Sequence, residues 1–224
     1  MTSIIIGDVH GSTYWKEIVK DHPGCRYIFL GDYLDPYEKV DNETLIENLM
    51  DIIRFKQKHP NEVVLLLGNH DLHYFVEEAA LCTRFNLALS PDISEIFRTN
   101  YHLFKFAYQE NKCLFTHAGV IHSWFIEDFK GDITKNIADQ LNNYTPDQIK
   151  PLFQVGFYRG GPVGKVGGIF WADIRELLEP LQGYTQIVGH NRVDDIQDFT
   201  KNGGRIIFCD CLFNKHFLKI DLDE

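Results

Sequence analysis

The sequence predicts an α/β fold in which parallel and antiparallel strands are mixed. Near the N-terminus two strand–helix units follow each other, and successive βαβ units favour a parallel sheet with right-handed crossovers. In the second half, two short apolar runs separated by turn-forming residues predict a hairpin, and therefore antiparallel strands as well. At 224 residues the chain is long enough for one full hydrophobic core, so we expect a single domain spanning residues 1–224.

The first half alternates strands with helices. Ser3–Ile6 is a β-branched run that ends at a glycine, which predicts a buried strand, and Ser12 is expected to cap the helix that follows. Two more strands are predicted at Tyr27–Leu30 and Val63–Leu67. Between them, apolar residues recur at helical spacing and predict a helix that begins at Asp41 or Asn42.

The second half predicts shorter elements. A hairpin is expected from Leu103–Tyr108 and Cys113–Thr116, because the residues between them, Gln109–Lys112, are turn-prone. Thr145 is expected to cap a helix that begins at Pro146. Other helical patterns cover 122–129 and 133–141, and further strands are predicted at 185–188, 205–209 and 217–220.

The composition narrows the classes of partner. The formal net charge is −10 and the basic residues are scattered, which disfavours nucleic acid as a main partner. No apolar run approaches the ~20 residues of a membrane helix, and the N-terminus lacks the pattern of a signal peptide. The five cysteines are odd in number and lack zinc-ligand spacing. We therefore expect reduced thiols, no membrane association and a cytoplasmic location.

Five polar clusters each follow an apolar run. The carboxyl ends of strands meet in one crevice of an open α/β sheet, so clusters distant in sequence are expected to meet in space. Their carboxylates, amide and imidazoles suit two adjoining divalent metal ions such as Mn, Fe or Zn. Each cluster alone is explained as a turn or a helix cap, but their ordered occurrence favours a metal centre. The clusters are Gly7-Asp8-Val9-His10-Gly11, Gly31-Asp32-Tyr33-Leu34-Asp35, Gly68-Asn69-His70-Asp71, Thr116-His117-Ala118-Gly119 and Val188-Gly189-His190.

This ordered set, which spans Asp8 to His190, resembles the signature of the calcineurin-like metallophosphoesterase superfamily. It is most similar to the branch that contains serine/threonine protein phosphatases and bacterial diadenosine tetraphosphatases. Many phosphodiesterases of the superfamily have a second histidine where this chain has Arg192. The resemblance implies a four-layer α/β/β/α sandwich with two mixed β-sheets, and metal-dependent hydrolysis of phosphoesters.

The resemblance also implies roles for individual residues. A hydroxide that bridges two divalent ions would attack phosphorus, and His70 would be the general acid that protonates the leaving oxygen. Asp35 would hydrogen-bond the His70 imidazole, whereas Asp71 would only cap the next helix. The six metal ligands would be Asp8, His10, Asp32, Asn69, His117 and His190.

One position departs from the family pattern. Relatives carry an arginine that clamps the substrate phosphate directly after the carboxylate of the general acid, and this chain has Pro36 there. Either another cation binds the phosphate or the affinity for phosphate is lower. Arg175 is the first candidate cation, unless it only pairs with a glutamate on a helix surface. Arg159 and Lys165 are the second candidates. Both lie in the glycine-rich segment 156–168, which we expect to be a flap over the metal site.

The substrate class follows from these features only in part. A phosphomonoester, carried by a phosphoprotein or a small molecule, is expected because the pattern is most similar to phosphatases. Aromatic residues near the expected pocket, such as Tyr74 and Tyr158, either stack on a base or fill the core, so a dinucleotide polyphosphate is an alternative substrate. A non-catalytic metal-binding scaffold is a second alternative, which the intact ligand set and the His70–Asp35 pair disfavour.

Overall fold

Two β-sheets form the centre of the computed structural model, which describes residues 1–222. In this part of the chain each sheet has five strands, in the orders β10-β1-β2-β3-β4 and β5-β6-β7-β9-β8. The strands are β1 Thr2–Ile6, β2 Arg26–Phe29, β3 Val63–Leu66, β4 Phe104–Lys105, β5 Ala107–Glu110, β6 Cys113–Thr116, β7 Thr185–Arg192, β8 Gln197–Lys201, β9 Gly204–Asp210 and β10 Leu218–Asp221.

Each sheet combines parallel and antiparallel pairs. Strands β1 to β4 run parallel, and β10 pairs antiparallel with β1 at the edge of the first sheet. In the second sheet β6, β7 and β9 are parallel, whereas the edge strands β5 and β8 are antiparallel to their neighbours. This topology confirms the fold class with two mixed sheets.

Alternate residues of the central strands face different layers. In β1, Ile5 packs in one buried group with Phe115 and Ile187 of the second sheet, so this group fills the space between the two sheets. The residues on either side of Ile5 belong to a second buried group, which contains helix residues such as Leu49 and Leu141. Helices therefore cover the outer faces of the sheets, in the α/β/β/α order.

Helix α2 matches its sequence prediction. It begins after Asp41, whose carboxylate accepts a hydrogen bond of 2.9 Å from Thr44 N, and a cap of this kind stabilises the first helical turn. Its buried face includes Leu45, Leu49 and Ile52. The helices are α1 Trp15–Asp21, α2 Asn42–Lys58, α3 Asn69–Leu72, α4 Ser90–Asn100, α5 Ile137–Asn142 and α6 Ile149–Leu152, and a π-helical turn covers Trp124–Asp128.

The run Leu103–Tyr108 is not one strand, because the chain changes sheet at Phe106. Strand β4 ends at Lys105 in the first sheet, and β5 begins at Ala107 in the second. The Asn142 side chain holds this crossing: its Oδ1 accepts hydrogen bonds from Phe106 N at 2.8 Å and Ala107 N at 3.3 Å, and its Nδ2 donates to the Ala107 carbonyl at 2.8 Å. The predicted hairpin is present as β5 and β6.

Some element boundaries also differ from the sequence prediction. Helix α1 begins at Trp15, and Ser12 accepts a hydrogen bond of 3.3 Å from Tyr14 N without capping the helix. The helical patterns at 122–129 and 133–141 form shorter elements, the π-helical turn and α5, whereas Thr145 caps the turn at Pro146 as predicted. Strand β8 is absent from the sequence prediction because all of its residues are exposed, so its sequence has no apolar alternation.

The thiols and the helix lengths bear on two further expectations. The cysteines are all free thiols, as predicted. Within residues 1–222, the helices are too short or too polar to cross a lipid bilayer.

Candidate metal centre

The carboxyl ends of five strands bring all six predicted metal ligands together. Loops after β1, β2 and β3 of the first sheet supply four of them, and the loop after β6 and the bulged part of β7 supply two from the second sheet. Because parallel strands end at a common edge, ligands from separate parts of the chain meet there. The residues that meet are Asp8, His10, Asp32, Asn69, His117 and His190.

Asp8, His10 and Asp32 form the first ligand group. His10 Nε2 lies 3.6 Å from Asp32 Oδ2 and 4.0 Å from Asp8 Oδ2. His10 Nδ1 donates a hydrogen bond of 2.7 Å to the Leu34 carbonyl, so the ring nitrogen that faces the carboxylates carries the lone pair. Burial lowers the pKa of His10 to about 4, so its imidazole is neutral at pH 7. A lone pair that faces two carboxylates is an unfavourable arrangement that a bound divalent cation would relieve.

Asn69, His117 and His190 form the second group around the other oxygen of Asp32. His117 Nδ1 donates to the Leu30 carbonyl at 2.8 Å, so its Nε2 lone pair faces Asn69 Oδ1 at 2.9 Å. His190 Nδ1 lies 2.9 Å from the same amide oxygen, and Asp32 Oδ1 lies 3.5 Å from His117 Nε2. Burial lowers the pKa of both histidines. Electron-donating atoms thus converge on one point, as a divalent cation requires.

Carboxylates are crowded beside these two groups. Burial, with the Asp210 and Asp32 charges, raises the pKa of Asp8 well above its ordinary value. Burial and Asp32 likewise raise the pKa of Asp210 to about 7. Like charges in a buried site are costly unless a cation compensates them. The donor atoms and their charges therefore fit two divalent ions that share Asp32.

Asp210 is a residue of the site that the sequence reasoning missed. It ends the apolar strand β9, in the same way that Asp8 follows β1, so its position at a strand end was an available signal. It adds negative charge next to Asp8.

The backbone of the ligand loops is held in uncommon conformations. His10, Asp32 and His190 have positive φ angles of 42°, 51° and 60°, which cost free energy for residues with a side chain and concentrate at functional sites. A Cβ atom on Gly68 would collide with the Asp32 carboxylate and with His117. Glycine is therefore required there for the loops to approach each other.

Asp71 caps helix α3, as the sequence suggested, and it also has a role that the sequence did not suggest. It lies within α3 and is fully buried. Its carboxylate accepts hydrogen bonds of 2.8 Å from the backbone N–H groups of Gly68, Asp32 and Tyr33. Asp71 therefore joins the loops after β2 and β3 and fixes the backbone of Asp32.

His70 and Asp35 form the pair that the sequence predicted. His70 Nδ1 lies 2.7 Å from Asp35 Oδ2, and His70 Nε2 faces the cavity of the site. His73 Nε2 lies 2.9 Å from the same oxygen, and Tyr74 donates a hydrogen bond of 2.5 Å to Asp35 Oδ1. Burial acts to raise the pKa of Asp35, but hydrogen bonds from His70, His73 and Tyr74 hold it below its ordinary value. Asp35 is therefore ionised at neutral pH.

His73 was not identified as a site residue from the sequence, and Tyr74 was expected near the pocket only as a base-stacking or core residue. Cys82 N donates to His73 Nδ1 at 3.1 Å, which leaves the proton of a neutral ring on Nε2, next to Asp35. Both residues follow His70 by three and four positions, the spacing that puts side chains on one face of a helical turn. That spacing was the signal that could have found them.

A profile of the calcineurin-like phosphoesterase family matches residues 1–209. The chain belongs to the calcineurin-like phosphoesterase family. The family depends on a dinuclear metal centre, and the Asp8, His10 and Asp32 side chains of this chain lie close enough together to hold a metal ion.

Curated members of the phosphatase branch are similar to this calcineurin-like phosphoesterase over a short segment. A protein phosphatase 2A catalytic subunit of Dictyostelium discoideum is 39% identical over 72 residues, which are 30% of this chain and 21% of that protein. Serine/threonine-protein phosphatase 6 catalytic subunit of Caenorhabditis elegans is 36% identical over 72 residues, or 30% of this chain and 20% of that protein. Each match covers less than a quarter of the relative's own length.

The fold is also similar to that of a solved structure. The crystal structure of a cold-active protein-tyrosine phosphatase of a psychrophilic Shewanella species superposes with a TM-score of 0.62 and 15% sequence identity. The match covers 98% of this chain and 75% of that chain. At this identity the likeness shows the fold of the calcineurin-like phosphoesterase.

The cations predicted to bind phosphate lie at different distances from the centre. Arg159 lines the cavity of about 300 Å³ beside the ligands, and its guanidinium contacts Asp173 at 2.8 Å. Arg175 has a 58% exposed side chain, pairs with Asp173 at 2.7 Å and stacks on Tyr158. Lys165 is half exposed and lies 3.5 Å from an aspartate on the surface. The structure therefore brings Arg159 into the site and leaves Arg175 and Lys165 outside it.

Proposed function

We propose that this calcineurin-like phosphoesterase is a phosphomonoesterase, similar in its chemistry to serine/threonine protein phosphatases, that acts on a phosphoprotein or a small phosphoester. The observation that carries this proposal is the convergence of two ligand groups on the two oxygens of Asp32. In this assignment Asp8 and His10 would hold one ion, and Asp32 would be shared between the two. Asn69, His117 and His190 would complete the other site.

The residues of the chain have distinct tasks in the proposed reaction. When bound, two divalent ions of Mn, Fe or Zn make water a nucleophile near neutral pH and polarise the phosphoryl group. His70 gives a proton from Nε2 to the leaving oxygen, since that nitrogen faces the cavity while Nδ1 is engaged by Asp35. Asp35 keeps the imidazole oriented, and Arg159 contributes positive charge towards the phosphate.

We extend the proposal to the organisation of the chain and its location. Residues 1–224 form one domain, and the segment 156–168 is a flap over the site. The flap is supported by Arg159, which reaches the cavity, and by Phe157 and Tyr158, which are exposed. Free thiols at all five cysteines support a reducing compartment, the cytoplasm.

A dinucleotide polyphosphate is the second candidate substrate. A groove of about 460 Å³ adjoins the centre and shares Asp8, His10 and Tyr37 with the smaller cavity. Arg192 and Phe213 also line it, and the Arg192 guanidinium lies 3.7 Å from the centre of the Phe213 ring. Such planar groups can stack on a nucleobase. A non-catalytic scaffold is disfavoured because the ligands and the His70–Asp35 pair are all intact.

The test combines a substrate panel with one substitution. Purified protein loaded with Mn²⁺ is assayed on an aryl phosphate, a phosphopeptide, diadenosine tetraphosphate and a cyclic nucleotide. Replacement of the general acid, His70→Asn, should lower turnover on the preferred substrate by ~10²–10⁴-fold while the metal content stays at the wild-type value. His102→Asn, at an exposed histidine, is the matched control and should keep full activity.

Each outcome of this experiment decides a different part of the proposal: the substrate, the catalytic activity or the general acid. Turnover of diadenosine tetraphosphate alone would select the second candidate. If the protein binds two metal ions but hydrolyses none of the four substrates, the result would favour the non-catalytic scaffold. An unchanged rate in His70→Asn would refute the general-acid role and leave the metal centre standing.

A further inference from the structure

An arginine that the sequence did not point to occupies the place next to Pro36. Arg84 lies in the irregular segment between α3 and α4, and its side chain lines the cavity together with His70 and Tyr37. Its Nε donates a hydrogen bond of 2.8 Å to the carbonyl oxygen of Asp35, the residue directly before Pro36. The guanidinium is thus hydrogen-bonded to the turn in which Pro36 replaces the arginine of the relatives.

Three contacts fix the orientation of this guanidinium. Besides the bond to Asp35, its Cζ lies 3.8 Å from the centre of the Tyr37 ring, a distance at which a cation is attracted to the ring face. Its Nη2 lies 3.5 Å from His70 Nε2, the nitrogen that faces the cavity. With Nε engaged, Nη1 and Nη2 make only one long contact each, to Thr83 Oγ1 at 3.3 Å and to His70 Nε2 at 3.5 Å, so the edge between them keeps N–H groups for a ligand.

The backbone of Arg84 and its charge set it apart from the other cation of the cavity. Arg84 has a φ of 63°, a conformation that costs free energy in a residue other than glycine and that recurs at ligand-binding positions. Arg159 is paired with Asp173 at 2.8 Å, a carboxylate that it shares with Arg175. Within residues 1–222, the Arg84 guanidinium contacts a carbonyl, a hydroxyl and an imidazole, and it contacts no carboxylate. Its charge therefore interacts with the Tyr37 ring but is not paired with a carboxylate within the described residues.

We propose that Arg84 is the phosphate clamp of this chain, supplied from the segment between α3 and α4 instead of from the position after Asp35. Its free guanidinium edge binds two oxygens of a terminal phosphate, a geometry that arginine satisfies and lysine does not. The placement beside His70 puts these donors next to the leaving oxygen. This inference rests on the proposed phosphomonoesterase function and names the residue that recognises the dianionic phosphate.

The direct test measures anion binding and does not depend on turnover. Inorganic phosphate is titrated calorimetrically into Mn²⁺-loaded wild type, Arg84→Ala, Arg84→Lys and Arg98→Ala. Loss of a charge-assisted pair of hydrogen bonds should weaken phosphate binding by roughly 10–100-fold in Arg84→Ala, and Arg84→Lys should fall between the two. Arg98 also donates to a backbone carbonyl, at 2.8 Å, and lies outside the cavity, so Arg98→Ala should bind phosphate as wild type does.

A second measurement separates binding from a merely structural role. In Arg84→Ala, millimolar guanidinium should restore part of kcat/KM on an aryl phosphate, because a small cation can enter the vacated space, whereas it should not raise the rate of Arg98→Ala. Equal phosphate affinity in wild type and Arg84→Ala would overturn the assignment, as would equal affinities in the folded Arg84→Lys protein if the alanine variant does not fold. Absence of hydrolysis in wild type would refute the proposed function instead, and the phosphate titrations would still decide the role of Arg84.

Discussion

Replacing Asp71 by asparagine is expected to destabilise the protein through one defined set of hydrogen bonds. The carboxylate accepts three backbone N–H groups, with Oδ2 bonded to Asp32 N and Gly68 N and Oδ1 bonded to Tyr33 N. An asparagine oxygen can keep the first two bonds. Its NH₂ group would then point at Tyr33 N–H, so one bond is lost and two donors face each other.

The magnitude follows from two losses and one partly compensating gain. A lost bond to a charged group is worth about 1.5–3 kcal/mol, and an unsatisfied buried donor adds about 1–3 kcal/mol. Burial and the Asp32 carboxylate raise the pKa of Asp71, so removal of its charge relieves part of that repulsion. We expect a net loss of about 2–4 kcal/mol, which corresponds to a fall in Tm of roughly 5–15 °C for a chain of this size.

The assay is urea unfolding followed by circular dichroism, with Mn²⁺ present at a fixed saturating concentration. Asp147→Asn is the control, because that exposed carboxylate accepts a hydrogen bond of 2.6 Å from Thr145 Oγ1 in a surface turn, and surface changes alter stability by about 0.5 kcal/mol at most. A stability of Asp71→Asn within about 0.5 kcal/mol of wild type would show that the three bonds do not hold the two loops.

Three further predictions test other parts of the structure. Asn142→Ala should cost about 2–3 kcal/mol in urea unfolding, since buried N–H groups at Phe106 and Ala107 lose their acceptor, and unchanged stability would contradict its role at the crossing between sheets. Gly68→Ala should reduce bound metal below two ions per chain in elemental analysis, because its Cβ collides with Asp32; full occupancy would show that the loops can move apart. In metal-free protein the folded-state pKa of Asp210 is raised from 3.8 to about 7, so its contribution to stability is lost as pH rises between these values. Asp210→Asn should therefore gain stability relative to wild type at pH 8 compared with pH 5, and an equal difference at both pH values would contradict the raised pKa.

Much of the candidate metal centre was readable from the sequence because its signals are local. Asp8, Asp32 and Asn69 each follow a short apolar strand and a glycine, so the strand end and the ligand are recognised together. Helix α2 was equally clear, since its apolar positions and its Asp41 cap agree with each other. Where local signals coincide, few competing arrangements exist.

The features that the sequence did not predict depend on distant partners. The break at Phe106 is fixed by Asn142, which lies 36 positions later, and the pattern of the run itself does not change at the break. Arg84 has no periodic neighbours to mark it, and only the folded chain brings it to Asp35, 49 positions away. Arg175 is the first candidate clamp on its motif, but Asp173 two residues before it engages the guanidinium.

The candidate metal centre also connects two regions that are separated by most of the chain length. His190 N donates to the Asp8 carboxylate across 182 positions, and the entropic penalty of closing a loop rises by only about 0.6 kcal/mol when the loop doubles in length. Segments between ligands can therefore grow or shrink while the sheet edge keeps its shape. The solved structure with a similar fold is a longer chain, of which this one covers 75%. Proteins of this fold are thus expected to differ mainly in the length of the segments that connect the strands. The hydrogen bond between these two strand ends is expected to stay, while longer segments add surface around the site.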